Sequence, residues 1–579
     1  MNCLSIIEQE FVLIWWHLCY TYDMKEGVTM KKALPIGVMD YRKLISENYY
    51  NVDKSLIIKD FLERKTVVTL ITRPRRFGKT LNMSMMAEFF DITKDSKELF
   101  KDTKIMETEY ASFINQYPTL FISFANAKGS QYDIIRTIKK EISKEYQKYN
   151  HLFMNLDDYD QSDFDLIKKS LTNHQDDFKG VNDSLSFLMT KLENHYHKKV
   201  MVFIDEYDTP FIEAHINGFY DDLKHDLSSL LHNTLKTSSS LQYAMLTGIQ
   251  RVAKENIFSD LNNIVVCTVK DYHYDQYFGF TEDETKAFLE YYHLTLDEDV
   301  KNMYDGYHIG NHDIYNPWSI INYIDKKELR PYWLNTSSNK MIRDAIQDCD
   351  ISFKQDYEKL IKTGQIETLV QMETSFFEVS NTANLWGLFV NAGYLTIEKT
   401  NSSQLDRYIL RIPNQEVQKE FQQLTSYYLD ISASDLSSLC NALLVANRDE
   451  FENYYRNILM TLPSFHDLVN ENSYHVMFLG MCAWLANDYE IISNKETGKG
   501  RCDIILKAKK SILPSYIFEF KYTRNKEQIE QLSNQAIQQI IDNHYDIQLS
   551  ENTIYIGLAH CGKDVSITWE NRQKTSDEK

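Results

Sequence analysis

Residues 66–80, TVVTLITRPRRFGKT, run a β-branched strand into the loop Arg73-Pro74-Arg75-Arg76-Phe77-Gly78-Lys79-Thr80, and a helical pattern (Leu81, Met85, Met86, Phe89) follows at once. A strand, a loop ending in Gly-Lys-Thr and a helix constrain the chain more than any other stretch. They place main-chain N–H groups at a helix N-terminus, where phosphate oxygens bind. Lys79 would reach the β and γ phosphates of a nucleotide, and the Thr80 hydroxyl would ligate Mg²⁺. Arg76 and Phe77 are counted with Gly78, Lys79 and Thr80 as the cradle. The usual first glycine of the signature is Arg73 here, and Gly-Lys-Thr alone is common by chance.

A second element gives the first its weight. Residues 200–208 read VMVFIDEYD: five apolar residues fit a buried parallel strand, with Asp205 and Glu206 at its C-terminal tip. Ligands of open α/β sheets bind at that edge. Asp205 would hold Mg²⁺ through its water shell, and Glu206 would orient or deprotonate the attacking water. The competing reading is a core strand that ends in a solvated acidic turn. Two elements in the right order favour the site.

With 579 residues the chain needs several cores. Apolar residues at 43% and charged residues at 25% suit a globular protein, and a formal charge of −20 argues against a generally basic nucleic-acid coat. The eight cysteines show no C-x-x-C pairing, which fits reduced thiols in a cytoplasmic protein better than a disulfide frame or a zinc site. Phe11–Tyr20 is apolar but about half the length that spans a bilayer. Glu8 and Glu10 precede it, where a secretory leader carries positive charge. Residues 1–32 are read as an N-terminal appendage, not a membrane anchor.

Strands at 66–72, 118–124, 200–204, 241–247 and 264–268 alternate with helical stretches such as Tyr132–Tyr149. The pattern predicts an α/β fold with a parallel sheet and helices on both faces. The polar stretch 156–183 is expected to be a surface insertion with a short helix over Leu166–Thr172. From about 280 the texture turns helical, with Thr281 and Glu284 at the reciprocal positions of a capping box. Residues 303–320 read as an aromatic turn and a helix, and 340–460 as helices with short strands near 393–396 and 408–412. After 461 come a helix over Tyr474–Asn487, strands at 490–492, 502–507 and 515–522, a polar helix near 526–544 and a last strand at 553–559.

Those later strands hold a second candidate site. Asp503 leads one strand, and Glu519-Phe520-Lys521 lies on the next. Residues two apart on a strand share a side, so Glu519 and Lys521 project together and Phe520 enters the core. If the strands pair as a hairpin, Asp503 meets Glu519. Two carboxylates can hold Mg²⁺ and a lysine can position water, which is the equipment of a metal-dependent phosphodiesterase. Glu-x-Lys alone carries nothing, since it recurs at Glu63/Lys65 and Glu284/Lys286, and a surface salt bridge on a hairpin is the alternative. Residues 461–579 carry 13 Lys and Arg against 16 Asp and Glu, close to neutral in an acidic chain. The lysines and arginine near 499–510 fit either a phosphate backbone or a solvated hairpin tip.

These residues resemble a family. The order Val52-Asp53-Lys54-Ser55, the string from Arg73 to Thr80, Ile204-Asp205-Glu206-Tyr207-Asp208, Leu246-Thr247-Gly248-Ile249-Gln250-Arg251, Tyr315-Asn316-Pro317-Trp318-Ser319 and Gly500-Arg501-Cys502-Asp503 is similar to the bacterial AAA-ATPase-like proteins that end in a PD-(D/E)xK nuclease-superfamily domain. In that family Arg is the habit at the position of Arg73. The resemblance covers about 33–575. It implies a P-loop domain over 33–275, a helical lid or winged-helix-like region over 276–345, a helical linker over 346–460 and a restriction-endonuclease-like α/β domain over 461–579. It implies ATP and Mg²⁺ as cofactors, Thr247 as a γ-phosphate sensor, and Arg251 as either a finger or an ordinary salt bridge. Asp503 and Glu519 fall on the superfamily's metal ligands and Lys521 on its catalytic lysine. Glu471 aligns loosely as a further acid, and Gln539 matches a helix residue of open role. The expected activity is ATP hydrolysis coupled to a nuclease-like domain acting on nucleic acid, and a homo-oligomer stays open. The alternatives are a nucleotide-dependent switch that binds DNA or protein without cutting, and an ATPase acting on protein partners.

Overall fold

A computed structural model describes residues 31–173, 178, 180–250, 263–333, 342, 351–372, 381–398, 407–428, 431–461, 471–485, 488–497, 500–547 and 549–572. Residues 1–30 of the N-terminal appendage and Arg251 lie outside them.

Five parallel strands form the first sheet: β1 (Val68–Thr72), β2 (Thr119–Ser123), β3 (Val200–Asp205), β4 (Leu241–Gly248) and β5 (Ile264–Cys267), in the order β2-β3-β4-β1-β5. Every residue of β1 and β3 is buried, which explains their unbroken apolar runs: helices cover both faces of a parallel sheet. The register sets Ser123 opposite Asp205 and Ile71 opposite Thr247, so the C-terminal tips of β1 to β4 end at one edge.

The helix Lys79–Phe90 starts from Gly78 and is buried at ten of its positions. It lies on one face of the sheet with Ile57, Phe61 and Phe203, and Phe353, Trp386, Phe389 and Phe421 join the same cluster. The middle of the chain therefore packs directly behind the loop. Helices Gln131–Lys148, Ser184–Tyr196 and Tyr220–His232 cover the other face.

The helix expected over Leu166–Thr172 is longer, Asp158–Thr172. Asp157 caps it by accepting from Asp160 N, and Asp158 and Asp160 in its first turn complement the helix dipole. The acids that read as surface filler are its start signal. The capping box at Thr281 and Glu284 forms as expected. The aromatic turn is a small antiparallel sheet of β6 (Phe280–Thr281), β7 (Tyr307–Ile309) and β8 (His312–Tyr315), and Asn316 then caps the helix Pro317–Lys326. A third sheet has β9 (Gln365–Leu369), β10 (Thr396–Ile397) and β11 (Arg407–Arg411) in the order β10-β11-β9.

The C-terminal sheet runs β12 (Tyr489–Thr497), β13 (Gly500–Ala508), β14 (Ser515–Tyr522), β15 (Thr553–Cys561) and β16 (Asp564–Arg572) in that order. β14 and β15 are parallel and joined through helix Ile529–Asp542; the other pairs are antiparallel. Helices Ala433–Leu444, Arg448–Thr461 and Glu471–Cys482 share a core with one face of this sheet, and Ile537 and Ile540 of helix Ile529–Asp542 pack with Ile505 and Ile517 on the other. Cys267, Cys440, Cys482, Cys502 and Cys561 are free thiols. Among the described residues no helix is long and apolar enough to cross a membrane.

Candidate functional site

Arg73 explains why the loop does without its first glycine. Its guanidinium is buried under the loop, where it donates to the carbonyls of Thr72 at 2.9 Å and Cys267 at 3.0 Å, and its own N–H donates to Gly248 O at 3.1 Å. Burial pushes its pKa down to about 10. Arg73 thus ties β1, β4 and β5 together at the edge where the loop leaves the sheet. Arg76 (φ 68°) and Gly78 (φ 78°) take left-handed backbone and curl the loop onto the helix start. A Cβ placed on Gly78 would meet nothing within 4 Å, so the cradle is open on that side.

Lys79 is buried, and its Nζ donates to the carbonyls of Arg73 at 3.0 Å and Pro74 at 2.9 Å. Burial lowers its pKa, against the pull of Glu206, Asp208 and Asp205. The Phe77 ring packs edge-on against Tyr307 with centroids 5.0 Å apart. Its side chain anchors the loop, so its share in a cradle is its main chain.

Asp205 is the hub. Its Oδ2 accepts from Thr80 at 2.8 Å and Ser123 at 3.3 Å, and its Oδ1 accepts from Thr247 at 2.7 Å. Three sequence-predicted residues from three elements meet there. Burial raises the Asp205 pKa, and the hydroxyl donors oppose that. Glu206 follows in left-handed backbone (φ 50°), with its N–H toward Thr247 Oγ1 at 3.4 Å and its Oε2 accepting from Thr209 at 3.1 Å. Glu206 lines a cavity of about 430 Å³ together with Lys79 and Thr80. The far wall is apolar: Val38, Tyr50, Phe280, Phe288 and Trp318. Arg76 lies over the Trp318 ring at 4.7 Å. Lys54, which also lines the cavity, pairs with Glu284 at 2.6 Å.

At the other end of the chain β13 and β14 are the expected hairpin pair. Ile504 stands opposite Phe518, and Asp503 and Glu519 are the next residues along. There the Asp503 Oδ2 takes the ladder's place and accepts from Phe520 N at 2.8 Å. Glu519 is buried; its Oε1 accepts from Lys521 at 3.2 Å and from Gln539 of helix Ile529–Asp542. Its Oε2 is buried with no donor, and a buried lone oxygen of this kind asks for a cation. Burial, then the charge of Asp503, raises the Glu519 pKa to about 7. Burial raises that of Asp503 as well, and the Phe520 N–H and the charges of His475 and Lys521 oppose it. Glu471 sits within the field of Lys521 and Asp503. His475, also on helix Glu471–Cys482, reaches Asp503 O at 3.2 Å. Among the described residues no three His, Cys, Asp or Glu side chains converge as a metal cage. Two carboxylates suffice for Mg²⁺, which keeps several of its waters.

Residues 35–258 match the family model described as a predicted AAA-ATPase, and residues 469–570 match that of the PD-(D/E)XK nuclease superfamily. The chain carries an AAA-ATPase-like domain and a C-terminal PD-(D/E)XK nuclease-superfamily domain. It is also similar to a protein of Azotobacter chroococcum mcd 1 described as an uncharacterized protein in the vnfD 5'region. The two are 26% identical over 546 residues, which is 89% of this chain and 93% of the relative. Domains of these two kinds typically use a nucleotide and a divalent metal.

The sequence reading missed the far wall of the cavity in the AAA-ATPase-like domain. Tyr50, Phe280 and Trp318 come from distant segments, and only the family strings around Val52 and Pro317 pointed near them. It also left the role of Gln539 open, which is to hold Glu519 in the nuclease-superfamily domain.

Proposed function

We propose that the chain binds ATP in the cavity beside the loop, hydrolyses it, and couples nucleotide state to Mg²⁺-dependent action of its C-terminal domain on nucleic acid. The observation that carries this reading is Asp205 joined to both Thr80 and Thr247 at the sheet edge, with Glu206 facing the same cavity. Gly78, Lys79 and Thr80 would hold the phosphates through main-chain N–H groups and one ammonium. Mg²⁺, held by Thr80 and Asp205, would neutralise charge on the phosphate oxygens. Glu206 would accept the proton of the attacking water, and Thr247 would report on the terminal phosphate. The apolar wall excludes water and suits a nucleobase. Arg251 keeps its proposed place as a finger.

In the C-terminal domain Asp503 and Glu519 would hold Mg²⁺, which would lower the pKa of a bound water. Lys521 would orient that water, and Gln539 keeps Glu519 from turning. A cytoplasmic location goes with this reading.

The test is calorimetry with ATP, phosphate release, and Mg²⁺-dependent cleavage of plasmid and single-stranded DNA with and without ATP. Absence of ATP binding by folded protein would overturn the first half, and absence of cleavage the second. The second reading is a nucleotide-dependent switch whose C-terminal domain holds DNA or protein without cutting. ATP binding without any cleavage is its signature.

A further inference from the structure

Glu416 is a fully buried carboxylate far from both sites in sequence, yet it lies between them. It stands in the first turn of helix Gln415–Tyr428. Its Oε1 accepts from the N–H groups of Tyr332 at 2.6 Å and Trp333 at 2.8 Å, and both its oxygens accept from Ser319, at 3.0 and 2.8 Å. The carbonyls of the same two residues, Tyr332 and Trp333, accept from Arg76 of the phosphate loop at 2.9 and 3.2 Å. Arg76 thus stands across one dipeptide from Glu416, and the two charges act on each other. The loop is clasped from the same side by Trp333, whose indole N–H donates to Arg75 O at 3.4 Å, and by Gly393, where a Cβ would come within 2.8 Å of Pro74.

The other end of this path reaches the C-terminal site. Helix Gln415–Tyr428 packs on helix Glu471–Cys482, which carries Glu471 and His475 beside Asp503. We propose that Arg76 and Glu416 form a relay by which a triphosphate in the cradle repositions helix Gln415–Tyr428 and, through it, the helix that flanks Asp503. This rests on the nucleotide reading above. Phosphate oxygens compete with the Tyr332 and Trp333 carbonyls for the guanidinium, whose charge also acts on Glu416. Drawing Arg76 toward the phosphate leaves a buried carboxylate with less compensation, which is costly and shifts the contacts that carboxylate holds. Nucleotide and C-terminal site are then coupled through Arg76 of the phosphate loop and a carboxylate, Glu416, that touches neither reaction.

Hydrogen exchange on the full chain at pH 8, where the folded protein holds Glu416 ionised, tests the relay without needing cleavage. A saturating non-hydrolysable ATP analogue with Mg²⁺ is added to wild type and to Glu416→Gln. The amide is isosteric and keeps an oxygen for Tyr332 and Trp333, but it removes the charge. In wild type the analogue should slow exchange in 73–80 and change it by about twofold or more in Gln415–Tyr428 and Glu471–Cys482. In Glu416→Gln the analogue should bind within about threefold of wild type and still protect 73–80, while the response of Glu471–Cys482 disappears. Ser319→Ala, which removes one donor to Glu416, should weaken the response if Glu416→Gln does not fold. Protection of 73–80 with no change in either helix of wild type, or equal responses in wild type and variants, overturns the relay alone. No protection of 73–80 and no binding overturns the nucleotide reading and the relay with it.

Discussion

The Thr80 hydroxyl donates to Asp205 Oδ2 at 2.8 Å across 125 positions of sequence. This bond joins the helix start behind the loop to the tip of β3, so the two motifs form one site. In the proposed reading this carboxylate and hydroxyl would hold a phosphate-bound Mg²⁺, and Lys79 stands beside them at the helix start.

Lys79 is the first residue to test. Its Nζ rests on two loop carbonyls, and a nucleotide would take over that charge. Lys79→Ala should weaken ATP binding at least tenfold, about 1.4 kcal/mol. Equal affinity of folded wild type and variant by calorimetry would end the cradle assignment.

Glu206 separates binding from turnover. It lines the cavity from a left-handed turn and its carboxylate is bonded to Thr209, while Asp205 makes the contact to Thr80. Glu206→Gln should keep ATP affinity and lose roughly 10²-fold or more in phosphate release, the range of a positioned base. Normal hydrolysis by the variant would move the base elsewhere.

Glu416 makes a prediction about stability and pH. Burial raises its pKa from 4.5 to about 7, against the pull of Ser319, two main-chain N–H groups and Arg76. Between those values the unfolded chain ionises Glu416 while the folded chain keeps it protonated. The unfolded state then binds fewer protons, so this group's contribution to stability falls as pH rises from about 4.5 to 7 and is level outside that window. Its slope approaches about 1.4 kcal/mol per pH unit. Denaturant midpoints from pH 5 to 8 should show a flatter fall for Glu416→Gln than for wild type, and identical profiles would contradict the assignment.

What the sequence shows of this molecule follows from how local each signal is. β1 and β3 are legible because a strand covered on both faces must be apolar throughout. Asp503, Glu519 and Lys521 are legible because hairpin pairing and strand alternation are short-range rules. β9 escapes because its buried positions are Ile366 and the polar Thr368 while the apolar Leu369 is exposed, so the sequence QIETL shows no clean apolar alternation. β16 escapes because Asp564 and Arg572 give its ends the look of a polar tail, although nine residues pair with β15. Glu416 escapes entirely: in the run Gln415–Tyr428 it reads as one more exposed acid, and only tertiary packing puts it between Arg76 and a second helix. Trp318 and Tyr50 belong to the same class, since a cavity wall is assembled from segments with no common pattern.

The C-terminal site is tested by proton competition. Glu519 has a buried oxygen without a donor, and its pKa stands at about 7 because burial and Asp503 both oppose its charge. A metal must displace that proton, so divalent-ion affinity should climb by up to about tenfold per pH unit below 7 and level off above it. Mn²⁺ binding followed by calorimetry on the full chain from pH 5.5 to 8.5 reads this directly. Asp503→Ala should lose the binding while leaving ATP affinity unchanged, because the two sites lie on different sheets. Lys521→Ala should keep the metal and lose cleavage, since its ammonium orients water and does not ligate. Gln539→Leu should fall between them, weakening the metal by roughly tenfold, the usual cost of removing a side chain that orients a ligand. Affinity that ignores pH over this range, or that survives Asp503→Ala, would rule out a metal held by this carboxylate pair.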